Sequence, residues 1–184
     1  KHFYRELGAY QLTYLPLERF PITNIAPAED EKTFRGQELR GYVHDQGAAL
    51  LGGVGGHAGL FGTADDVAKM MQMYLQKGYY GGTWYLQPQA IQLFNTCNYC
   101  TEGNRRGLGF DKPQLGKAGP TCGCVPMESF GHTGFTGTFA WADPINEIVV
   151  VFLSNRTYPS AENKLLINKL IRQRVQEVVY KAGL

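Results

Sequence analysis

The stretch Gly131-His132-Thr133-Gly134-Phe135-Thr136-Gly137-Thr138, running into Phe139-Ala140-Trp141-Ala142, decides how this chain is read. Over residues 136–142, Phe139 and Trp141 alternate with Thr138 and Ala140, which is the period of a β-strand. Asp143-Pro144-Ile145-Asn146-Glu147 then has turn composition. Residues 148–153 are apolar at every position, which predicts a central strand covered on both faces rather than an exposed edge. Residues 130–155 therefore read as a β-hairpin. After it, Ser160 is placed to cap a helix reaching about residue 182, with Leu166, Leu170, Ile171, Val175, Val178 and Val179 as its apolar stripe. A hairpin feeding a long amphipathic helix predicts an α+β arrangement, the helix lying across an antiparallel sheet.

Upstream of this unit the clearest helix spans residues 63–76. Thr63 is a fitting N-cap, and Asp65 and Asp66 suit the positive end of the helix dipole. Val67, Met70, Met71, Tyr74 and Leu75 recur at helical spacing, and Gly78 supplies a stop. That stripe reads as ordinary core rather than as an adaptable Met-rich groove. Residues 1–9 read as a helix end closed at Gly8. Residues 10–60 carry Pro16, Pro21, Pro27 and a glycine cluster with no sustained period; a stretch this long inside a domain is usually functional or wraps a partner surface. Tyr80-Gly81-Gly82-Thr83-Trp84-Tyr85 predicts a tight hairpin. A short helix opening at Pro88 should turn Ile91 and Phe94 inward. Residues 95–129 read as loop, interrupted by a short strand over 107–110.

The chain has 184 residues, enough for a single domain with a sizeable core. A net charge of +2 with no Lys/Arg run argues against nucleic acid or a membrane surface as partner. No apolar run approaches the ~20 residues of a membrane helix. The first residues, Lys1-His2-Phe3-Tyr4-Arg5, are those expected of a chain cut from something longer.

The cysteines are Cys97, Cys100, Cys122 and Cys124, an even number in two close pairs. Disulfides in an oxidising compartment are the preferred reading, with three connectivities open. A four-cysteine zinc site is the alternative, although C-x-C is tighter than the usual zinc spacing. Among the histidines, His132 stands out because flanking glycines let a ligand approach the backbone closely. A plainer account is that His132 ends a strand and bonds a loop carbonyl. His44-Asp45 could orient a water or a substrate, or hold its own loop; His57 lies before a helix and could cap or pack there.

Taken with its surroundings, the opening stretch resembles the end of the class C β-lactamase, DD-peptidase and esterase family of penicillin-recognising serine hydrolases. That family carries a K-T-G or H-T-G element on the strand lining its active site. Gly56-His57-Ala58-Gly59-Leu60-Phe61-Gly62-Thr63-Ala64-Asp65-Asp66-Val67-Ala68 resembles the family's G-G-L-x-S-T-A-x-D-L-A segment, and Leu7-Gly8-Ala9 its P-L-G-M signature. The match is closest to a β-lactamase-like domain that some bacteria append to a glycoside hydrolase.

The resemblance implies a β-lactamase/transpeptidase-like α+β fold, an antiparallel sheet with flanking helices, of which the N-terminal part is missing. The family's nucleophile is the Ser of S-x-x-K, assisted by that Lys and by the Tyr of Y-x-N. The serines here are Ser129, Ser154 and Ser160, and none has Lys three residues on. By resemblance, His132 would lie against a substrate carboxylate or assist proton transfer, and Thr133 would hydrogen-bond the same carboxylate. Gly134 would keep the strand clear, and the Phe135 N–H would be one oxyanion-hole donor. Histidine in place of lysine moves the expectation from penicillin hydrolysis toward a peptidase or esterase.

The expected function is thus one wall of a serine hydrolase site that cleaves an ester or amide through an acyl-enzyme, inactive alone and needing no cofactor. Its expected partners are a small ester or peptide substrate and the missing N-terminal part of the same domain, with self-association wherever uncovered core surface is exposed. A periplasmic or secreted location is expected. The rival reading is a non-catalytic binding or scaffolding domain attached to a carbohydrate-active enzyme; a zinc module is the third.

Overall fold

A computed structural model describes residues 2–114 and 119–183. The chain opens with α1 (His2–Glu6), closed as expected at Gly8. The stretch read as irregular contains a hairpin of β1 (Pro27–Glu31) and β2 (Gln37–Arg40), then α2 (Gln46–Leu50). Neither has the length or the apolar period to announce itself. The β1–β2 turn is organised by a buried carboxylate. Glu31 accepts the backbone N–H groups of Thr33, Phe34 and Arg35 and the Thr33 hydroxyl. The Phe34 N–H above all, with those of Arg35 and Thr33, holds the Glu31 carboxyl down at about 2.

Helix α3 (Ala64–Leu75) starts as its sequence predicts. Thr63 Oγ1 accepts the Asp66 N–H at 3.3 Å. Asp66 does more than suit the helix dipole: its buried carboxylate accepts the Gln11 N–H at 2.6 Å and binds Lys69, whose Nζ also donates to the Gly8 carbonyl. The N-terminal segment is pinned to α3 in this way. Met71 and Met73 are about 200° apart around the helix and so bury opposite faces. Met71 packs with Phe130 and Ala142, whereas Met73 packs with Leu7, Ala9 and Leu12. The sequence stripe omitted Met73, although its Val67, Met70 and Tyr74 pack against the second cluster as well.

The Gly81-Gly82 hairpin forms as expected between β3 (Tyr79–Tyr80) and β4 (Thr83–Trp84), and α4 (Pro88–Asn95) begins at Pro88. Ile91 of α4 is buried, but Phe94 is exposed. Residues 107–110 form no strand; the extended chain there yields one bridge, from Asp111 to Gly131.

The main sheet holds β5 (Phe130–Thr133), β6 (Phe139–Asp143) and β7 (Ile148–Phe152), antiparallel in the order β5-β6-β7. His132 pairs with Ala140 inside β5 rather than preceding a strand, and residues 136–138 lie outside β6. β7 is apolar on both faces but stands at the sheet edge among the described residues. Ala140, Ala142 and Val149 face α3, while Phe139, Trp141, Ile148, Val150 and Phe152 form a second cluster on the other face. Burial on both faces, not a central position, explains the unbroken apolar run. Ser129 belongs to this core: its hydroxyl accepts from Trp141 Nε1 at 2.9 Å and donates to the Pro126 carbonyl.

The single long C-terminal helix expected from the sequence is broken into α5 (Leu165–Asn168) and α6 (Ile171–Gly183), with Leu170 between them in the left-handed region at φ 51°. The cysteines join as Cys97–Cys100 and Cys122–Cys124. No thiolates are left for a zinc site, and among the described residues no group of three or more His, Cys, Asp and Glu side chains comes together.

Candidate active site

The site is built outward from β5. Antiparallel pairing of His132 with Ala140 and Thr133 with Phe139 leaves the following residues to form a tight turn back to β6. The Gly134 N–H donates to the Thr138 carbonyl at 2.8 Å, and the Gly137 N–H to the Gly134 carbonyl at 3.0 Å. A Cβ on Gly134 would lie 2.1 Å from Thr138 Oγ1, so a side chain there would force the Thr138 hydroxyl to move. The glycine that the family resemblance assigned to substrate clearance has an intramolecular reason as well.

Phe135 sits at the tip of this turn, 66% exposed. Its ring nonetheless has two close neighbours. His44 stacks on it at 5.4 Å between centroids and 29° between planes, and the Arg156 guanidinium carbon lies 4.7 Å from the ring centre. Arg156 fixes the turn further through its own N–H, which donates to the Thr136 carbonyl at 2.8 Å. Its guanidinium also donates to the Ala161 and Asn163 carbonyls. Among the described residues no protein group accepts the Phe135 backbone N–H. A rigid turn thus presents an unpaired donor at the end of the strand.

The His132 side chain is exposed, and both ring nitrogens are engaged. Nδ1 lies 2.7 Å from the Thr133 carbonyl oxygen and Nε2 lies 3.3 Å from Arg106 Nη1. The carbonyl contact is the plainer role open to this residue from sequence; the arginine contact was not foreseen.

His44 and Asp45 do not work on each other. His44 Nε2 is 2.7 Å from Glu29 Oε2, and Asp45 Oδ1 lies 2.9 Å from His57 Nε2. Asp45 caps α2 through the Ala48 N–H at 2.7 Å. That bond first, and His57 second, hold its carboxyl below the usual range. The structure therefore brings His44 to the Phe135 turn and sets His57 with Asp45 at the start of α2. Glu29, Arg106 and Arg156 were missed by the sequence reading. Nothing local marks them, because each acts across a chain crossing that no short window contains. Arg156 lies three residues beyond the apolar run 148–153, which gave it no role.

Comparison with known proteins fits this geometry. The profile of the Beta-lactamase family matches residues 8–172. The chain belongs to the β-lactamase family. It is 34% identical over 168 residues to an Escherichia coli (strain K12) protein named "Putative D-alanyl-D-alanine carboxypeptidase", covering 84% of this chain and 38% of that protein. A Salmonella enteritidis protein of the same name is 36% identical, with coverage of 87% and 40%. The chain thus spans about two fifths of the length of these curated relatives. Among solved structures, a β-lactamase from Mycobacterium bovis superposes with a TM-score of 0.53 at 21% identity, over 69% of this chain and 47% of that one. A hydrolase with promiscuous acyltransferase activity superposes at 0.50 and 18% identity, over 91% and 48%. The fold is that of β-lactamase-like hydrolases, as the three matched segments implied. The relatives are bacterial, and two disulfides suit an environment outside the reducing cytoplasm.

Proposed function

We propose that this chain supplies one wall of a serine hydrolase active site that cleaves an amide or ester through an acyl-enzyme. The observation that carries the reading is the unpaired Phe135 N–H, held at the end of the exposed His132-Thr133-Gly134 strand by a glycine turn, His44 and Arg156. A donor fixed in advance where carbonyl charge develops is what acyl transfer requires. The nucleophilic serine and its lysine are, in this reading, supplied from outside residues 1–184. In this reading His132 and Thr133 face the substrate, and His57 with Asp45 shapes the neighbouring loop. A peptide ending in D-alanyl-D-alanine is the substrate that the relatives' names favour, and a periplasmic or secreted location follows from such a substrate and from the disulfides. The exposed apolar side of α6 is then a surface for the rest of the same domain and, in its absence, for self-association.

The test is covalent labelling. The natural full-length protein should be labelled by a fluorescent penicillin or a fluorophosphonate, and residues 1–184 alone should not. Labelling of the isolated chain, or none of the full-length protein by either probe, would sink the proposal and favour a binding or scaffolding domain.

A further inference from the structure

We propose that Ser154, Arg156 and Arg172 form a binding site for one small inorganic anion, of the chloride or phosphate class, at the end of the β6–β7 pair opposite the Asp143 turn.

The three residues meet at Gly137. The Arg156 N–H donates to the Thr136 carbonyl at 2.8 Å, and Arg172 Nη1 donates to the Thr138 carbonyl at 3.3 Å, so the two arginines hold the chain on either side of Gly137. A Cβ on Gly137 would lie 2.4 Å from Ser154 Oγ and 3.4 Å from Arg156 Cγ. Ser154 and Arg156 follow β7, and Arg172 lies in the first turn of α6. The strand order puts β6 between β7 and the strand that carries His132 and Thr133. Neighbouring strands lie ~4.8 Å apart, so β7 is about 10 Å from β5. The site is therefore set off from the strand that faces the substrate.

Charge is one reason to place an anion there. Arg35, Arg40 and Arg105 each pair with a carboxylate. Among the described residues neither Arg156 nor Arg172 does, although Arg156 is only 9% exposed. Burial first, and the charge of Arg156 second, push the Arg172 guanidinium below its ordinary value. Both guanidiniums nonetheless stay charged at physiological pH. Two cations taken out of water side by side are costly unless a counter-charge offsets them.

Hydrogen bonding is the other reason. Arg156 Nη1 is used by the Ala161 and Asn163 carbonyls. Arg156 Nε, Arg172 Nε and Ser154 Oγ are buried without a partner. Of the five such side-chain atoms among the described residues, three thus belong to this one place. Buried donors in native proteins find protein, water or an ion. Water would satisfy the donors and leave the charge; an anion answers both, and charge-assisted bonds from guanidinium groups are the strong ones.

The experiment uses the natural full-length protein in a gluconate buffer free of chloride and phosphate. Chloride or inorganic phosphate is then added at constant ionic strength, with thermal unfolding and calorimetry as readouts. The wild-type Tm should rise by about 2 °C or more, and calorimetry should show one anion per chain. Arg172→Gln should lose at least half of that rise. Ser154→Ala removes a single hydroxyl; it should weaken anion binding by about threefold or more without lowering the Tm of the anion-free protein. This second variant decides the matter if Arg172→Gln does not fold. Phosphate also stabilises proteins by exclusion from their surface, an effect that wild type and variants share. Equal responses in wild type and both variants would therefore overturn the site, as would no response in the wild type. Displacement of the anion by N-acetyl-D-alanyl-D-alanine but not by its C-terminal amide would give the arginines to the substrate and overturn it too.

Discussion

Helices α3 and α6 read alike in the sequence and dock in opposite ways. Each carries an apolar stripe at helical spacing. In α3 the stripe is core: its Met71 is 6% exposed, and Met73, outside the stripe, is buried as well. In α6 the stripe faces outward, with Val178 at 65%, while Gln176 and Tyr180 are buried. α6 is attached by polar groups. Gln176 Oε1 accepts the Cys122 N–H at 3.0 Å, Gln173 donates to the Gly119 carbonyl, and the Tyr180 hydroxyl donates to Asp143 Oδ2 at 2.5 Å. The lesson is that helical period reveals that a helix has an apolar face, not which neighbour that face meets. Apolar burial is non-directional, so a stripe fits any apolar surface. A buried glutamine or tyrosine needs particular partners, and those belong to one arrangement.

Met73→Ala in α3 should produce the largest effect, a loss of about 2–5 kcal/mol in urea unfolding, because it empties a filled position between Leu7, Ala9 and Leu12. A loss as small as that of a surface change would break the contrast between the helices.

Tyr180→Phe should come next, at about 1.5–3 kcal/mol, since it removes a buried hydrogen bond to a carboxylate. Hydrogen exchange should then show α6 opening before α3. The same contact makes α6 sensitive to alkali. Burial first, and the bond to Asp143 second, raise the Tyr180 phenol above its ordinary 10.0. Its contribution is complete below about pH 10, where a free tyrosine is protonated, and is lost as pH climbs toward the folded value. Wild type should lose α6 packing above that pH, by tyrosine absorbance and circular dichroism, and Tyr180→Phe should not show the added dependence.

Val178→Ala should do least, within about 0.5 kcal/mol in residues 1–184, because the side chain already meets water. In the natural full-length protein the same change should cost more, as measured by thermal unfolding. Equal costs in both would mean that nothing covers this face.

Much of the fold was legible in residue order. The α3 cap at Thr63, the Gly81-Gly82 hairpin and the turn at Asp143 rest on contacts a few residues apart, which the chain carries wherever it goes. The β1–β2 hairpin was not legible. Its organising residue, Glu31, uses backbone donors that every sequence possesses, so its own identity carries no signal. The helix break at Leu170 was hidden for a similar reason, since no glycine or proline marks it.

The candidate site divides in the same way. The segment His132-Thr133-Gly134-Phe135 was found from order alone, because a strand, a glycine turn and a strand are a local arrangement. What grips that segment was decided only in three dimensions: His44 from one loop, Arg156 from beyond β7, and Arg106 from the loop after the Cys97–Cys100 disulfide. Local order determined which backbone donors and side chains reach the end of β5. Tertiary packing decided what holds them in place, because stacking and ion placement depend on neighbours across space, and residue order records those only where they are also neighbours along the chain.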